Sequence, residues 1–198
     1  MKKIVLASKN LDKVKEMRLA LKDLPVEILS LADFQKEFPD ALEDGETFEV
    51  NALIKAKFFR EQTGLACLAD DSGLEVDALN GLPGVHSARF AGYHADDNTN
   101  NQKLLDELKK IGATESAAAY RCVLAFVDND GTEILTSGKV EGKIKIVAKG
   151  SGGFGYDPYF YIDENRTMAE ILPAEKNKIS HRGAALREMI LKLKGRFR

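Results

Sequence analysis

An apolar run over residues 65–68 passes through Ala69 straight into two adjacent carboxylates, Asp70 and Asp71, followed by Ser72-Gly73-Leu74. The run reads as a buried strand, and buried carboxylates need partners. Successive strand side chains face opposite ways, so at most one of the two can point cleanly into a site. Carboxylate oxygens suit Mg²⁺, which typically takes one or two carboxylates and completes its shell with water and substrate phosphates. Ser72-Gly73 reads as a turn where the backbone can approach a ligand, and the competing reading of the same residues is an Asx turn closing a hairpin.

Around this strand the apolar pattern alternates between two periods. Residues 4–7 form a short apolar strand, after which Val14, Met17, Leu21 and Leu24 recur at helical spacing until Pro25. A second strand is expected over 26–31. A second helix follows over 46–63, with Phe48, Ala52, Ala56 and Phe59 on one face and Gly64 as its stop. Residues 75–79 read as a separate edge-like strand before the Gly81-Leu82-Pro83-Gly84 turn, and 96–111 as a helix. Residues 120–127 and 132–137 flank Asp128-Asn129-Asp130-Gly131 as a hairpin, with strand continuing over 138–149. A last helix spans 180–194, with Leu186, Met189, Ile190 and Leu193 on one face. With no repeat or linker, residues 1–198 read as a single α/β unit, its sheet mixed because hairpins interrupt the strand–helix alternation.

With 198 residues, 44% of them hydrophobic, the chain can bury a real core. A net charge of −2 disfavours nucleic-acid binding, so any phosphate site must be built from a few placed basic groups. Cys67 and Cys122 lie inside apolar runs, as free buried thiols in a reducing compartment do. The opening residues are too few in apolar side chains for a secretion signal, and no run approaches membrane-spanning length. The expectation is a cytoplasmic protein with no membrane partner.

Four further segments could meet the Asp71 carboxylate. Ser8-Lys9-Asn10 lies between the first strand and the first helix, where backbone N–H groups favour phosphate, and Lys13 one turn on could reach it as a point charge. A capped helix with a solvated charged face accounts for the same residues. Glu43-Asp44-Gly45-Glu46 places acids before the second helix, on which Asn51 and Lys55 form a polar pair apart from the apolar face. Gly150 to Pro158 sets Phe154, Tyr156 and Asp157 among glycines, a composition that suits a backbone wrapped around a planar ligand. Ser180-His181-Arg182 opens the last helix with a cation in its first turn, which the helix dipole disfavours unless an anion is near.

In order along the chain, these motifs are Leu6-Ala7-Ser8-Lys9-Asn10 with Lys13 and Glu16, Glu43 to Phe48 with Asn51, Lys55 and Ala56, and Ala69 to Leu74. Pro83 to Arg89, Gly152 to Pro158, and Lys176 with Ser180 to Gly183 complete the set. Together they resemble the ITPase-like family of inosine/xanthosine triphosphate pyrophosphatases, the Ham1-type proteins, over nearly the whole chain. Small departures fall at Ser8, Lys9 and His86. The resemblance implies a mixed-sheet α/β fold with two lobes around a central cleft, a homodimer, Mg²⁺ dependence, and hydrolysis of non-canonical purine triphosphates to monophosphate and pyrophosphate.

Carried onto this sequence, the resemblance implies Asp71 as general base and metal ligand, with Glu43 the second carboxylate near the metal. It implies Ser8, Lys9, Asn10, Lys13, Lys55 and Ser72 on the substrate, chiefly its phosphates. Phe154, Gly155, Tyr156, Asp157, Lys176, His181 and Arg182 would enclose base and sugar. Donors near His181 and Arg182 and an acceptor at Asp157 would then favour a 6-keto purine over adenine. Two other readings stay open: a catalytically silent nucleotide-binding protein, and a pyrophosphatase of the Maf type, whose arginine-rich opening loop Ser8-Lys9-Asn10 lacks.

Overall fold

The computed structural model describes residues 2–197. In chain order it contains β1 (Lys3–Leu6), α1 (Leu11–Leu21), β2 (Glu27–Ser30), α2 (Phe48–Thr63), β3 (Ala66–Val76) and α3 (Asp97–Lys110). β4 (Glu115–Val127), β5 (Glu133–Lys145), β6 (Phe160–Tyr161), α4 (Pro173–Ile179) and α5 (His181–Arg196) follow. The strands form one six-stranded sheet in the order β2-β1-β3-β4-β5-β6. β1 is parallel to β2 and to β3, whereas β5 and β6 are antiparallel, so the sheet is mixed, as the hairpin signals require.

The chain divides into two compact units. The first holds residues 2–71, 122–138 and 182–197. Its core joins Ile4 and Leu6 of β1, Val14, Met17 and Leu21 of α1, Leu68 of β3, Leu124 and Phe126 of β4, and Leu186, Met189 and Leu193 of α5. Local chemistry sets the helix ends here. Asn10 caps α1 by accepting from the N–H groups of Asp12 and Lys13, each at 3.0 Å. Thr47 caps α2, and Gly64 ends it at φ 68°, a left-handed conformation that glycine adopts without strain.

Strand order fixes where a ligand can approach this unit. From β1 the chain passes through α1 to β2 on one side, then through α2 to β3 on the other. The carboxyl ends of β1 and β3 therefore flank a topological switch point, the place where open α/β sheets bind ligands. Leu6 pairs in register with Leu68, so Ser8 and Asp70 emerge at the same level.

The second unit holds residues 72–121 and 139–181. Leu74 and Val76 of β3, Leu104 and Leu108 of α3, Tyr120 of β4, Ile144 of β5, and Phe160 and Met168 form its core.

The sequence reading needs correction at three places. Ser72-Gly73 is not a turn: β3 continues through it to Val76, and Asp77–Leu79 is a single 3₁₀ turn rather than strand. The polar residues are tolerated because the strand interior satisfies them; the Leu74 N–H, for example, donates to the buried Ser87 hydroxyl at 2.9 Å. Second, strand ends at Lys145 and not at 149. Third, α4 is missing from the apolar pattern, since its seven residues are mostly polar and only Pro173 at the first position marks it. Among the described residues, no helix is long and apolar enough to cross a membrane.

Candidate active site

In the first unit, β3 delivers its two carboxylates into opposite environments, as strand alternation demands. Asp70 is fully enclosed. It accepts from Lys13 Nζ at 2.6 Å, Arg182 Nε at 2.8 Å and the Cys122 thiol at 3.1 Å. Burial alone would raise its pKa, but Arg182 and Lys13 outweigh burial and hold it well below the usual carboxylate range. Asp71 goes the other way. Burial pushes its pKa up to about 6, against the pull of Lys55 and Lys13 and with help from the negative charges of Glu43 and Asp70. Its Oδ2 atom is buried and has no hydrogen-bond partner among the described residues. Two neighbouring titratable groups driven in opposite directions are the arrangement from which acid–base roles are assigned.

Lys55 organises the ground around Asp71. From the middle of α2 it reaches Glu43 Oε2 at 2.7 Å, Asp71 Oδ1 at 3.9 Å and the Asp70 carbonyl at 3.0 Å. Glu43 is carried by the loop before α2, and Asn51 fixes that loop. The Asn51 side chain accepts from the Gly45 N–H at 2.8 Å and donates to the Gly45 carbonyl at 3.1 Å. Asn51 is therefore a buried clamp rather than a group presented to a ligand. Asp71 and Glu43 form a two-carboxylate donor set with one buried oxygen lacking a partner, which fits a hard divalent cation that shares its shell with water and phosphate.

The β1–α1 junction supplies the remaining candidates of this unit. The Asn10 carbonyl oxygen is committed to its cap, which leaves its amide as the group able to donate to an anion. Ser8 Oγ accepts from the Asn10 N–H at 3.2 Å. Lys9 instead pairs with the exposed Asp40 at 2.7 Å, a solvated contact of small energetic value, so the geometry does not support its expected phosphate role. Arg182 departs most from expectation. Its side chain is only 1% exposed, and its guanidinium is bound by Asp70 and Glu16. The anion that the dipole conflict called for is thus inside the protein.

The second unit holds its glycine-rich loop by internal hydrogen bonds. The Gly155 N–H donates to Asp97 at 2.6 Å and its carbonyl accepts from Asn101 at 2.9 Å, both residues lying on α3. Tyr156 is buried, with its hydroxyl on the Ser87 carbonyl at 2.8 Å. Asp157 accepts from Lys176 Nζ at 2.6 Å and from the Phe154 N–H at 3.0 Å. A Cβ at Gly153, where φ is 73°, would collide with that carboxylate. Gly155, Tyr156 and Asp157 are thus tied into the framework of the second unit. Phe154 is half-buried and lies 4.4 Å from the Lys176 ammonium. His181 is buried against Tyr120, and Ser72 is half-buried on β3.

A model of the Ham1 family matches residues 4–192. The chain belongs to the Ham1 family. This Ham1 chain is 49% identical over 187 residues to a Geobacter sulfurreducens protein named dITP/XTP pyrophosphatase, the match covering 94% of each chain. A Clostridium perfringens protein of the same name is 46% identical, with 98% of each chain covered. Among solved structures, a HAM1 protein from Coxiella burnetii aligns with a TM-score of 0.87 at 43% identity, covering 98% of this chain and 100% of that one. The mixed α/β Ham1 fold expected from the ordered motifs is therefore the fold observed.

Within this Ham1 fold, sequence reasoning missed Glu16, Asn51, Cys122, Asp97, Asn101 and Tyr120 as organising residues. One signal was available. Glu16 is one residue from the apolar stripe position Met17, and a carboxylate there needs a cation once the helix packs.

Proposed function

We propose that the protein hydrolyses non-canonical purine nucleoside triphosphates, ITP, dITP and XTP, to the monophosphate and pyrophosphate. The observation that carries this reading is Asp71, a buried carboxylate with an unpartnered oxygen and a pKa pushed up to about 6, beside Lys55 and Glu43 at the switch point between the parallel strands β1 and β3. The name dITP/XTP pyrophosphatase, carried by relatives nearly half identical over almost the full length, supports the substrate class.

In this reading Asp71 takes a proton from a water molecule as that water attacks the α-phosphorus; the new P–O bond forms as the bridge to the β-phosphorus breaks, and pyrophosphate leaves. A carboxylate near pH 6 is a competent base at neutral pH. Lys13 and Lys55, with donors from Ser8 and Asn10, neutralise and orient the triphosphate. Asp71 and Glu43 would hold Mg²⁺, which would supply Lewis-acid neutralisation of the phosphate oxygens. Lys176 and His181 carry donors toward the base, with Phe154 as an aromatic face. An ammonium donor selects the acceptor O6 of a 6-keto purine and rejects the amino group of adenine. The protein acts as a homodimer in the cytoplasm.

A pyrophosphate-release assay over ITP, dITP, XTP, GTP and ATP, with and without Mg²⁺, tests the reading. Non-canonical purines should exceed ATP by about 10²-fold or more in kcat/KM, and chelation should abolish release. Comparable turnover of all five, or release unaffected by chelation, contradicts it. Light scattering on the purified protein checks the dimer.

A further inference from the structure

Tyr120 has no role in the reading above, yet it stacks on His181, one of the residues assigned to the base. It sits on β4, inside the second unit, where it is buried. Its ring stacks on the His181 imidazole, with centroids 4.8 Å apart and planes 17° from parallel. Behind it, Phe160 of β6 packs at 4.5 Å and prevents the ring from retreating. Its hydroxyl meets the negative charge of Asp157, the carboxylate that also holds Lys176 and the Phe154 N–H. One side chain on β4 thus holds the His181 ring by its face and sets its hydroxyl beside the carboxylate of the Asp157–Lys176 pair.

We infer that Tyr120 is a positioning residue for base selection: through the His181 stack, and with its hydroxyl set against Asp157, it fixes where the Lys176 and His181 donors stand. The inference rests on the assignment of those two residues to base recognition. Burial and the Asp157 charge keep the hydroxyl protonated far above neutral pH, so it remains a donor at any working pH. Base discrimination depends on donor placement within a fraction of an ångström, so loosening this anchor should reach selection before it reaches the phosphates.

The test compares Tyr120→Phe, which keeps the ring and removes the hydroxyl, with Tyr120→Leu, which removes both. The readouts are kcat/KM for ITP and for ATP, and competitive inhibition by inorganic tripolyphosphate. Tyr120→Phe should lower the ITP/ATP ratio by about threefold and Tyr120→Leu by about tenfold or more, with tripolyphosphate inhibition unchanged in both. The ring-proton resonances of His181 should shift in Tyr120→Leu and stay near their native position in Tyr120→Phe. If Tyr120→Leu does not fold, the Tyr120→Phe ratio decides. A ratio within experimental error of wild type in Tyr120→Phe, or loss of ITP turnover and tripolyphosphate inhibition by the same factor, overturns the inference. Lys176→Ala and His181→Ala serve as controls. If these leave the ratio unchanged, the base-recognition reading fails; if they collapse it while the Tyr120 variants do not, only the inference about Tyr120 fails.

Discussion

Asp71 and Asp70 differ by one position and by opposite electrostatic fates, and the account of this protein turns on that difference. Asp71→Asn keeps the shape but removes the base and a metal charge, so turnover should fall by roughly 10²–10⁴ with the circular dichroism spectrum unchanged. The pKa of about 6 adds a stability signature. A folded-state value above the unfolded one means that the folded chain holds a proton which the unfolded chain has lost. This group's stability contribution is then complete below about pH 4 and lost as pH rises through 6. In metal-free protein, Asp71→Asn should therefore resist urea better than wild type at pH 7.5, by on the order of 2–3 kcal/mol at most, and the gap should close at pH 4. A variant less stable than wild type at pH 7.5 would place the burial cost elsewhere. That two carboxylates would face apart was legible from strand period alone. Which one would be neutralised was not, because Arg182 reaches Asp70 from 112 residues away in sequence.

At the scale of elements, the apolar period located α1, α2, α3 and α5 to within a few residues, since each buries a continuous stripe. It failed where burial comes from polar satisfaction. β3 runs through Asp-Asp-Ser-Gly because cations and hydroxyls meet its polar groups, and α4 is carried by Pro173 and a buried lysine rather than by an apolar face. The base and phosphate candidates were legible as motifs, yet the internal partners of Arg182, Asp157 and Tyr156 were not, because those partners are distant in sequence. Arg182 is the plainest case. It ties α5 to β3 and α1 through Asp70 and Glu16, so Arg182→Ala leaves two carboxylates buried without it and should cost about 3–5 kcal/mol in urea unfolding. Residual activity in folded Arg182→Ala should fall for ITP and ATP alike. A loss below about 1 kcal/mol, joined to a selective loss of ITP turnover, would return Arg182 to the base.

For the molecule as a whole, each unit has its own core and its own share of the candidate chemistry: carboxylates and phosphate-directed lysines in the first, the aromatic loop and buried Lys176 in the second. The six motifs were readable because each is contiguous, whereas the ties that hold them, Asn51 to Gly45 or Asn101 to Gly155, are visible only in three dimensions. The central claim is that Asp71 activates water for attack on the α-phosphorus. Turnover of ITP in H₂¹⁸O, with mass analysis of both products, tests it directly. The account predicts ¹⁸O in the monophosphate and none in the pyrophosphate; label in the pyrophosphate, or release of orthophosphate in its place, would contradict it.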